Sequence, residues 1–199
     1  MNFENLKLFY LFSCILLGLV ILSPTLFEAF PFPEGDHFTE LWLLGENHMI
    51  ESGDFFVTTN NSYSVHLGVL NNMRDLEFYK ICVKFRTQSD PLPDRLNELP
   101  SPLEPLFEYY LFLENNEIGE KEFRFSFENI LFEEKDLRIL ELSINGYDVG
   151  MDKIVIWDEK SNGLYCQFFF ELWIYNSKTS SFQFHNRYVS FWVNLIQTL

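Results

Sequence analysis

Two hydrophobic periods divide this chain. From Leu8 to Phe27 the sequence LFYLFSCILLGLVILSPTLF carries no charged residue over 20 positions. At about 1.5 Å per residue such a run reaches roughly 30 Å as a helix, the thickness of a bilayer's hydrocarbon core. Beyond it the period falls to two. Tyr63, Val65, Leu67 and Val69 alternate with Ser64, His66 and Gly68; Tyr79, Ile81, Val83 and Phe85 alternate with Lys80, Cys82, Lys84 and Arg86. Phe123, Phe125 and Phe127 alternate in the same way with Glu122, Arg124 and Ser126. Alternation of this kind sorts side chains onto the two faces of a strand. Further strands are predicted over Phe38–Leu44, 55–59, 106–113, Asp136–Ile144, 153–157, 164–176 and 182–195.

The breaks between these runs carry turn chemistry. Residues 71–75 (NNMRD) read as a hairpin loop, Asn145-Gly146 ends the strand before it, and Asn162-Gly163 is the strongest short hairpin signal. The stretch 90–105, DPLPDRLNELPSPLEP, holds five prolines in 16 residues, which forbids a strand or helix interior. It is predicted to be an ordered crossover loop or flap. Nine or ten short strands, with no 3.6-residue period outside 8–27, predict an all-β, antiparallel β-sandwich; a barrel is the main alternative.

The N-terminal run is longer than a signal peptide's apolar region, and Glu28-Ala29-Phe30-Pro31 lacks a small-x-small cleavage site. It therefore reads as a retained signal anchor over 1–30, with a buried core helix as the alternative. Lys7 precedes it, whereas Glu28, Glu34, Asp36, Glu40 and Glu46 follow it with no Lys or Arg among them. The positive-inside rule then predicts a cytoplasmic N-terminus and an extracytoplasmic domain over 38–199. Pro24 and Pro31-Phe32-Pro33 predict a stiff linker, placed at 31–37. Ser13-Cys14 loosely resembles a lipidation box, but apolar Ile15-Leu16-Leu17 follows, so Cys14 reads as a lipid-facing or buried thiol.

Composition sharpens this picture. Aromatic residues make up 18% of the chain, with 23 Phe, which favours strands and argues against disorder. The formal net charge is −15, and only Lys7, Glu4 and Glu28 of the charged residues lie within the first 28 positions. An acidic domain repels phosphate backbones and anionic headgroups, so nucleic acid is not a predicted partner.

Candidate chemistry is sparse. Cys82 alternates with Lys80 and Lys84 and reads as solvent-side; Cys166 alternates with Leu164, Phe168 and Phe170 and reads as core-side, which argues against a disulfide between them. His37, His48, His66 and His185 show no zinc-motif spacing, and His66 and His185 read as ordinary strand positions. No G-x-S-x-G, phosphate-binding loop or dinucleotide fingerprint is present. No catalytic, cofactor-binding or metal residue is assigned, and no cofactor is predicted. Glu133-Glu134, Asp158-Glu159 and Asp148 with Asp152 are paired acids; the set Asp148, Asp152 and Asp158 offers oxygen ligands for calcium but lacks the D-x-D-x-D-G order. Asn60-Asn61-Ser62 is the single glycosylation sequon. Phe168-Phe169-Phe170, Trp173 and Tyr175, with Phe191 and Trp192, put aromatics on both faces of their strands. That means a central strand buried on both sides, or an exposed interaction surface at Phe169, Trp173, Tyr175 and Trp192.

The order of Phe38-Thr39-Glu40-Leu41-Trp42-Leu43-Leu44-Gly45, Tyr63-Ser64-Val65, Asn71-Asn72-Met73, the strand Tyr79 to Arg86, the loop from Leu92-Pro93 to Pro105-Leu106, and Glu122-Phe123-Arg124-Phe125-Ser126-Phe127 resembles the C-terminal domain of archaeal membrane proteins of domain of unknown function 1616. The resemblance spans about residues 38–127. It implies a membrane-attached, extracytoplasmic, immunoglobulin-like domain and brings no activity or catalytic residue with it. Members often carry several N-terminal membrane helices, where this sequence offers one.

Together these features predict a single-pass, membrane-anchored β-sandwich module outside the cell. A non-enzymatic protein-interaction, adhesion or envelope-scaffolding role is favoured. A glycan- or calcium-binding module using the 90–105 loop is the alternative, and an extracytoplasmic hydrolase comes third.

Overall fold

The computed structural model describes residues 3–29, 37–49, 55–133 and 136–196. It falls into two units, with the boundary between Asp36 and His37. The predicted linker at 31–37 lies outside the described residues except for its last position.

The first unit is the helix α1, Phe3–Ala29. It continues through Pro24, so this proline belongs to the helix and not to a spacer. Side chains are described over 7–20, where apolar residues surround the helix and leave no polar stripe. The large ones from Leu8 to Val20 are between 54% and 71% exposed. Among the described residues no helix is long and apolar enough to cross a membrane.

The second unit holds ten strands: β1 Phe38–Leu44, β2 Phe55–Val57, β3 Tyr63–Asn72, β4 Glu77–Thr87, β5 Phe107–Leu113, β6 Ile118–Glu133, β7 Asp136–Ile144, β8 Tyr147–Asp158, β9 Gly163–Asn176 and β10 Ser181–Leu195. Hydrogen bonding runs β1-β3-β6-β7-β8 in one layer (sheet A) and β5-β4-β9-β10-β2 in the other (sheet B). The β8–β9 hairpin, paired at Trp157↔Leu164 and Asp158↔Gly163, carries the chain from one layer to the other. The predicted antiparallel order holds for every pair but one: β2 lies parallel to β10 at the edge of sheet B. Its pairing is three residues long, and packing holds it: Val57 is fully buried and the Phe55 ring lies 4.9 Å from that of Phe191 in a tilted contact.

The alternation seen in the sequence becomes the core. Phe123, Phe125 and Phe127 of β6 point across to Phe168 and Phe170 of β9, Phe85 of β4 and Phe191 of β10. Ring centroids lie 5.1 Å apart for Phe123–Phe170 and for Phe85–Phe168, and 4.9 Å for Phe125–Phe168. Such edge and tilted pairs add to the area term, which is about 1.5–3 kcal/mol for each fully buried large apolar side chain. Tyr109 of β5 ties the layers together: its hydroxyl donates to Glu122 O of β6 (2.7 Å) and accepts from Asn145 Nδ2 (2.6 Å). Burial pushes its pKa up to about 12.

The turns differ in detail from the prediction. Asn71 and Asn72 belong to β3, not to the loop after it. Asn145 and Gly146, at φ 50° and 83°, form the two-residue turn between β7 and β8. Asn162 also has positive φ (53°), but it ends a longer turn, and Gly163 already belongs to β9. Gly163 is required there for space: a Cβ would lie 2.7 Å from the Tyr165 ring and 2.8 Å from the Asn194 amide.

Candidate functional site

The outer face of sheet B is formed by alternate residues of four strands. Register pairs Phe78 with Phe112, Lys80 with Tyr110 and Trp173, Cys82 with Glu108 and Glu171, and Lys84 with Phe169; β10 adds Phe182 beside Tyr175 and Phe184 beside Trp173. By pattern alone this face is half polar and half aromatic. The 90–105 loop divides it into a covered half and an open half.

Under the loop, charge is sealed away from water. Lys84 Nζ lies 2.9 Å from Glu171 Oε2, and the two side chains are 5% and 0% exposed. Lys84 also donates to Ser101 O (2.7 Å), Ser101 N donates to Glu171 Oε1 (2.7 Å), and Trp173 Nε1 donates to Glu171 Oε2 (3.2 Å). A buried ion pair is tolerated only when its remaining donors and acceptors are satisfied, and the loop backbone supplies these. The loop is pinned further along β10, where Arg95 donates to Tyr188 O (3.0 Å) with its guanidinium 4.4 Å over that ring, and Asn186 donates to Arg95 O. At its start, Asp90 accepts from Thr87 N (3.0 Å) and Lys153 Nζ (2.9 Å).

The cap corrects two expectations. Cys82 is not solvent-side: it is 3% exposed, and burial pushes its pKa up to about 12. Phe169 is fully buried under the loop and is no interaction residue. Phe168, Phe169 and Phe170 are all inaccessible, as befits a central strand buried on both faces. Cys82 and Cys166 are free thiols, and burial raises the pKa of Cys166 as well. The loop backbone at Ser101 thus meets the buried charges beneath it directly.

Beyond the loop the face opens into an aromatic platform. Phe78 sits at its centre, with ring centroids at 4.8 Å to Phe112, 5.0 Å to Phe182, 5.9 Å to Tyr110 and 6.0 Å to Tyr175. Phe112 is 61% exposed, Tyr110 50% and Tyr175 37%. Lys80 Nζ pairs with Glu108 (2.9 Å) and lies 5.4 Å from the Trp173 ring and 5.3 Å from Phe182. The Tyr110 hydroxyl donates to Glu108 Oε2 at 2.6 Å. Burial by itself raises the Glu108 pKa, but the Tyr110 and Lys80 bonds outweigh it and hold the carboxyl below its usual value. Trp173 and Tyr175 thus belong to the platform. Trp192 does not: it pairs with Gln167 toward the opposite end of β9, under the Arg86 guanidinium at 5.4 Å. The platform members on β4, β5 and β10 are strand residues whose common face becomes legible once register is known.

The other predicted positions are dispersed. Asn60 sits on an exposed turn between β2 and β3 with φ 61°, its backbone N bonded to Phe127 O. Asp152 is engaged bidentately by Arg138 at 2.6 Å, and Asp158 caps the turn at Lys160 N. Asp148 and Asp158 lie at opposite ends of β8, roughly 30 Å apart by strand rise. The three acids therefore do not converge on one calcium ion. Glu134 lies outside the described residues. A bulge between Phe184 and Arg187 turns His185 inward, where its Nε2 meets Thr39 Oγ1 (3.1 Å) beside Tyr79 and Asn71. Burial, then Arg187, lowers its pKa. Thr39 is fully buried, so this histidine–hydroxyl contact presents no nucleophile to a substrate. His48 and His66 come together at Glu120, a grouping that pairing across β3 and β6 creates and that sequence spacing does not display. A cleft of about 460 Å³ lies between Phe132, Asp136, Trp157, Leu164 and Leu195 at the β8–β9 end.

The second unit is thus an all-β, two-layer domain with one aromatic face left open. No protein-family model and no curated protein matches the sequence. Among solved structures it is similar to the CARDB domain of a Pyrococcus furiosus protein, crystallised with di-metal ions, at 10% identity and a TM-score of 0.39 over 81% of this chain and 97% of that one. It is also similar to part of a β-glucosidase from Listeria innocua, in its gluconolactone complex (11% identity, TM-score 0.36) and its isofagomine complex (12%, 0.38). This chain covers 83% of its own length in those matches and spans 17% of the enzyme's.

Proposed function

We propose that this chain is a membrane-tethered, non-enzymatic module of immunoglobulin-like type, held outside the cell by α1, that docks a protein partner on the open half of sheet B. One observation carries the reading: Phe78, Tyr110, Phe112, Trp173, Tyr175 and Phe182 lie together on one face, with Phe112 and Tyr110 at least half exposed. A contiguous exposed aromatic cluster on an otherwise acidic surface favours a docking role over solubility. Lys80 and Glu108 neutralise one another within it, so an apolar partner surface fits it better than a charged one. The platform also borders β5, an edge strand whose ladder pairing is with β4 alone among the described residues. The tether rests on the uncharged 8–27 run of the sequence, which is long enough to span a bilayer as a helix.

A glycan reading has its own support in Trp173 and Tyr175 beside Glu108 and Lys80, an arrangement in which rings stack on sugars and charged groups meet hydroxyls. A photo-crosslinking residue at position 112 in the full chain, irradiated in native membranes, separates the two. A discrete protein adduct that is missing from a position-154 control on β8 supports docking. Absence of any adduct, together with retention on an insoluble polysaccharide, transfers the surface to glycans. Protease added to intact cells tests orientation: removal of the domain is expected, and a protected domain contradicts the tether as drawn.

A further inference from the structure

We propose that His48, His66 and Glu120 form a binding site for a zinc-type divalent cation on the outer face of sheet A, independently of the partner reading. The three come from separate elements. His66 is on β3 and Glu120 on β6, and the Gly68↔Glu120 register places that carboxylate diagonally across from the imidazole. His48 sits on the turn after β1, closed by Gly45 N to Met49 O (2.8 Å) and His48 N to Gly45 O (2.9 Å). This turn holds His48 at φ 54°, a left-handed conformation that a non-glycine residue adopts rarely. The result is a histidine aimed back over the sheet, its ring stacked 3.8 Å from that of His66.

The donor set is the one zinc prefers: two imidazole nitrogens and a carboxylate oxygen, with a fourth position left for water or a partner's donor. His48 Nε2 lies 2.9 Å and His66 Nδ1 3.4 Å from the same oxygen, Glu120 Oε1, and the three ligand atoms lie within 4.8 Å of one another. Zn–N and Zn–O bonds of about 2.0–2.1 Å in a tetrahedron separate neighbouring ligand atoms by about 3.3 Å. The His66–Glu120 edge already has that length. The adjustment falls to His48, whose side chain is 54% exposed on its turn, while His66 is held at 16%. One wall is apolar: the Trp42 indole lies so close over Gly68 that a Cβ there would come within 2.0 Å of the ring, directly across the pairing from Glu120. A cation would fasten the post-β1 turn to β3 and β6 and leave its open position facing solvent.

The test uses the full chain in detergent, carrying a non-histidine tag and stripped with a chelator. Titration with Zn²⁺ is expected to give one equivalent bound and a higher melting temperature, and Co²⁺ is expected to give the strong visible bands of tetrahedral coordination. Loss of an outer-shell partner alone weakens metal sites about 10–100-fold, so His48→Ala, a change on an exposed turn, is expected to weaken binding by at least about tenfold, and Glu120→Gln likewise. Asp148→Asn, on β8, leaves it unchanged. No saturable heat with Zn²⁺, or equal affinity in wild type and His48→Ala, overturns the proposal.

Discussion

Two lysine–glutamate pairs stand on the same face of sheet B and meet opposite fates. Lys84–Glu171 and Lys80–Glu108 start from β4 residues four positions apart, and both measure 2.9 Å. The first is sealed under the 90–105 loop, which donates one backbone N–H and accepts one ammonium proton; the second stays partly open among aromatic rings. The first is therefore a structural clasp for the loop, and the second a neutral centre in a surface free to bind. Residue identity does not separate them; what covers them does.

The largest effect tests the clasp. Glu171→Ala leaves Lys84 buried without its partner and is expected to cost about 3–5 kcal/mol in denaturant unfolding. The paired replacement Lys84→Met with Glu171→Leu is expected to recover most of that. A loss of under about 1 kcal/mol in the single variant removes the distinction between the two pairs. The same variant is expected to expose Cys82. Because burial pushes its pKa to about 12, its thiol is expected to be silent to a thiol reagent at pH 8 in the native chain and to become reactive when the loop lifts.

Acid weakens the domain at two groups, Asp90 at the start of the loop and His185 beside Thr39. Burial would raise the Asp90 pKa, but the Thr87 and Lys153 bonds outweigh it and leave it lowered. A carboxylate lowered on folding stabilises above its unfolded value near 4 and loses that contribution as pH falls through the folded value. His185 acts earlier. Its pKa is lowered by burial and Arg187, so the folded state resists its protonation. Stability is full above about pH 6.5 and declines below it toward the folded value. Melting temperature should therefore fall in two stages on acidification, and Asp90→Asn should shrink the lower one, to which Glu108 also contributes. Smaller again is Tyr109→Phe, which strips Asn145 Nδ2 and Glu122 O of their shared partner and is expected to cost about 1–3 kcal/mol. Smallest is Glu108→Ala, where an open pair is worth about 0.2–1 kcal/mol.

How far the chain could be read follows the same line. Strand-like runs closed by Gly45 and Asn145-Gly146 located β1 and β7 to the residue, and period-two alternation assigned the faces of β4 and β9 correctly, because a pleated backbone leaves no freedom in which side a residue takes. It did not tell which outer face would be covered, since the cover comes from a proline-rich loop without periodicity. Cys82, Lys84 and Phe169 were therefore expected at solvent or in an interaction surface, and they are buried. The Asn-Gly signal marked two real hairpins with different turns: Asn145-Gly146 uses both positive-φ positions as a two-residue turn, while Asn162 ends a longer turn and Gly163 already begins β9. His48, His66 and Glu120 were invisible, because pairing across β3 and β6 brings together residues far apart in the chain.

The central claim is that the open half of sheet B exists to be covered by a partner. Replacing Tyr110 and Phe112 together by serine in the full chain tests it most directly, with melting temperature and partner crosslinking in native membranes read side by side. The account predicts an unchanged or higher melting temperature and loss of the crosslinked species. A marked fall in melting temperature with crosslinking intact would contradict it and make the platform part of the fold's own support.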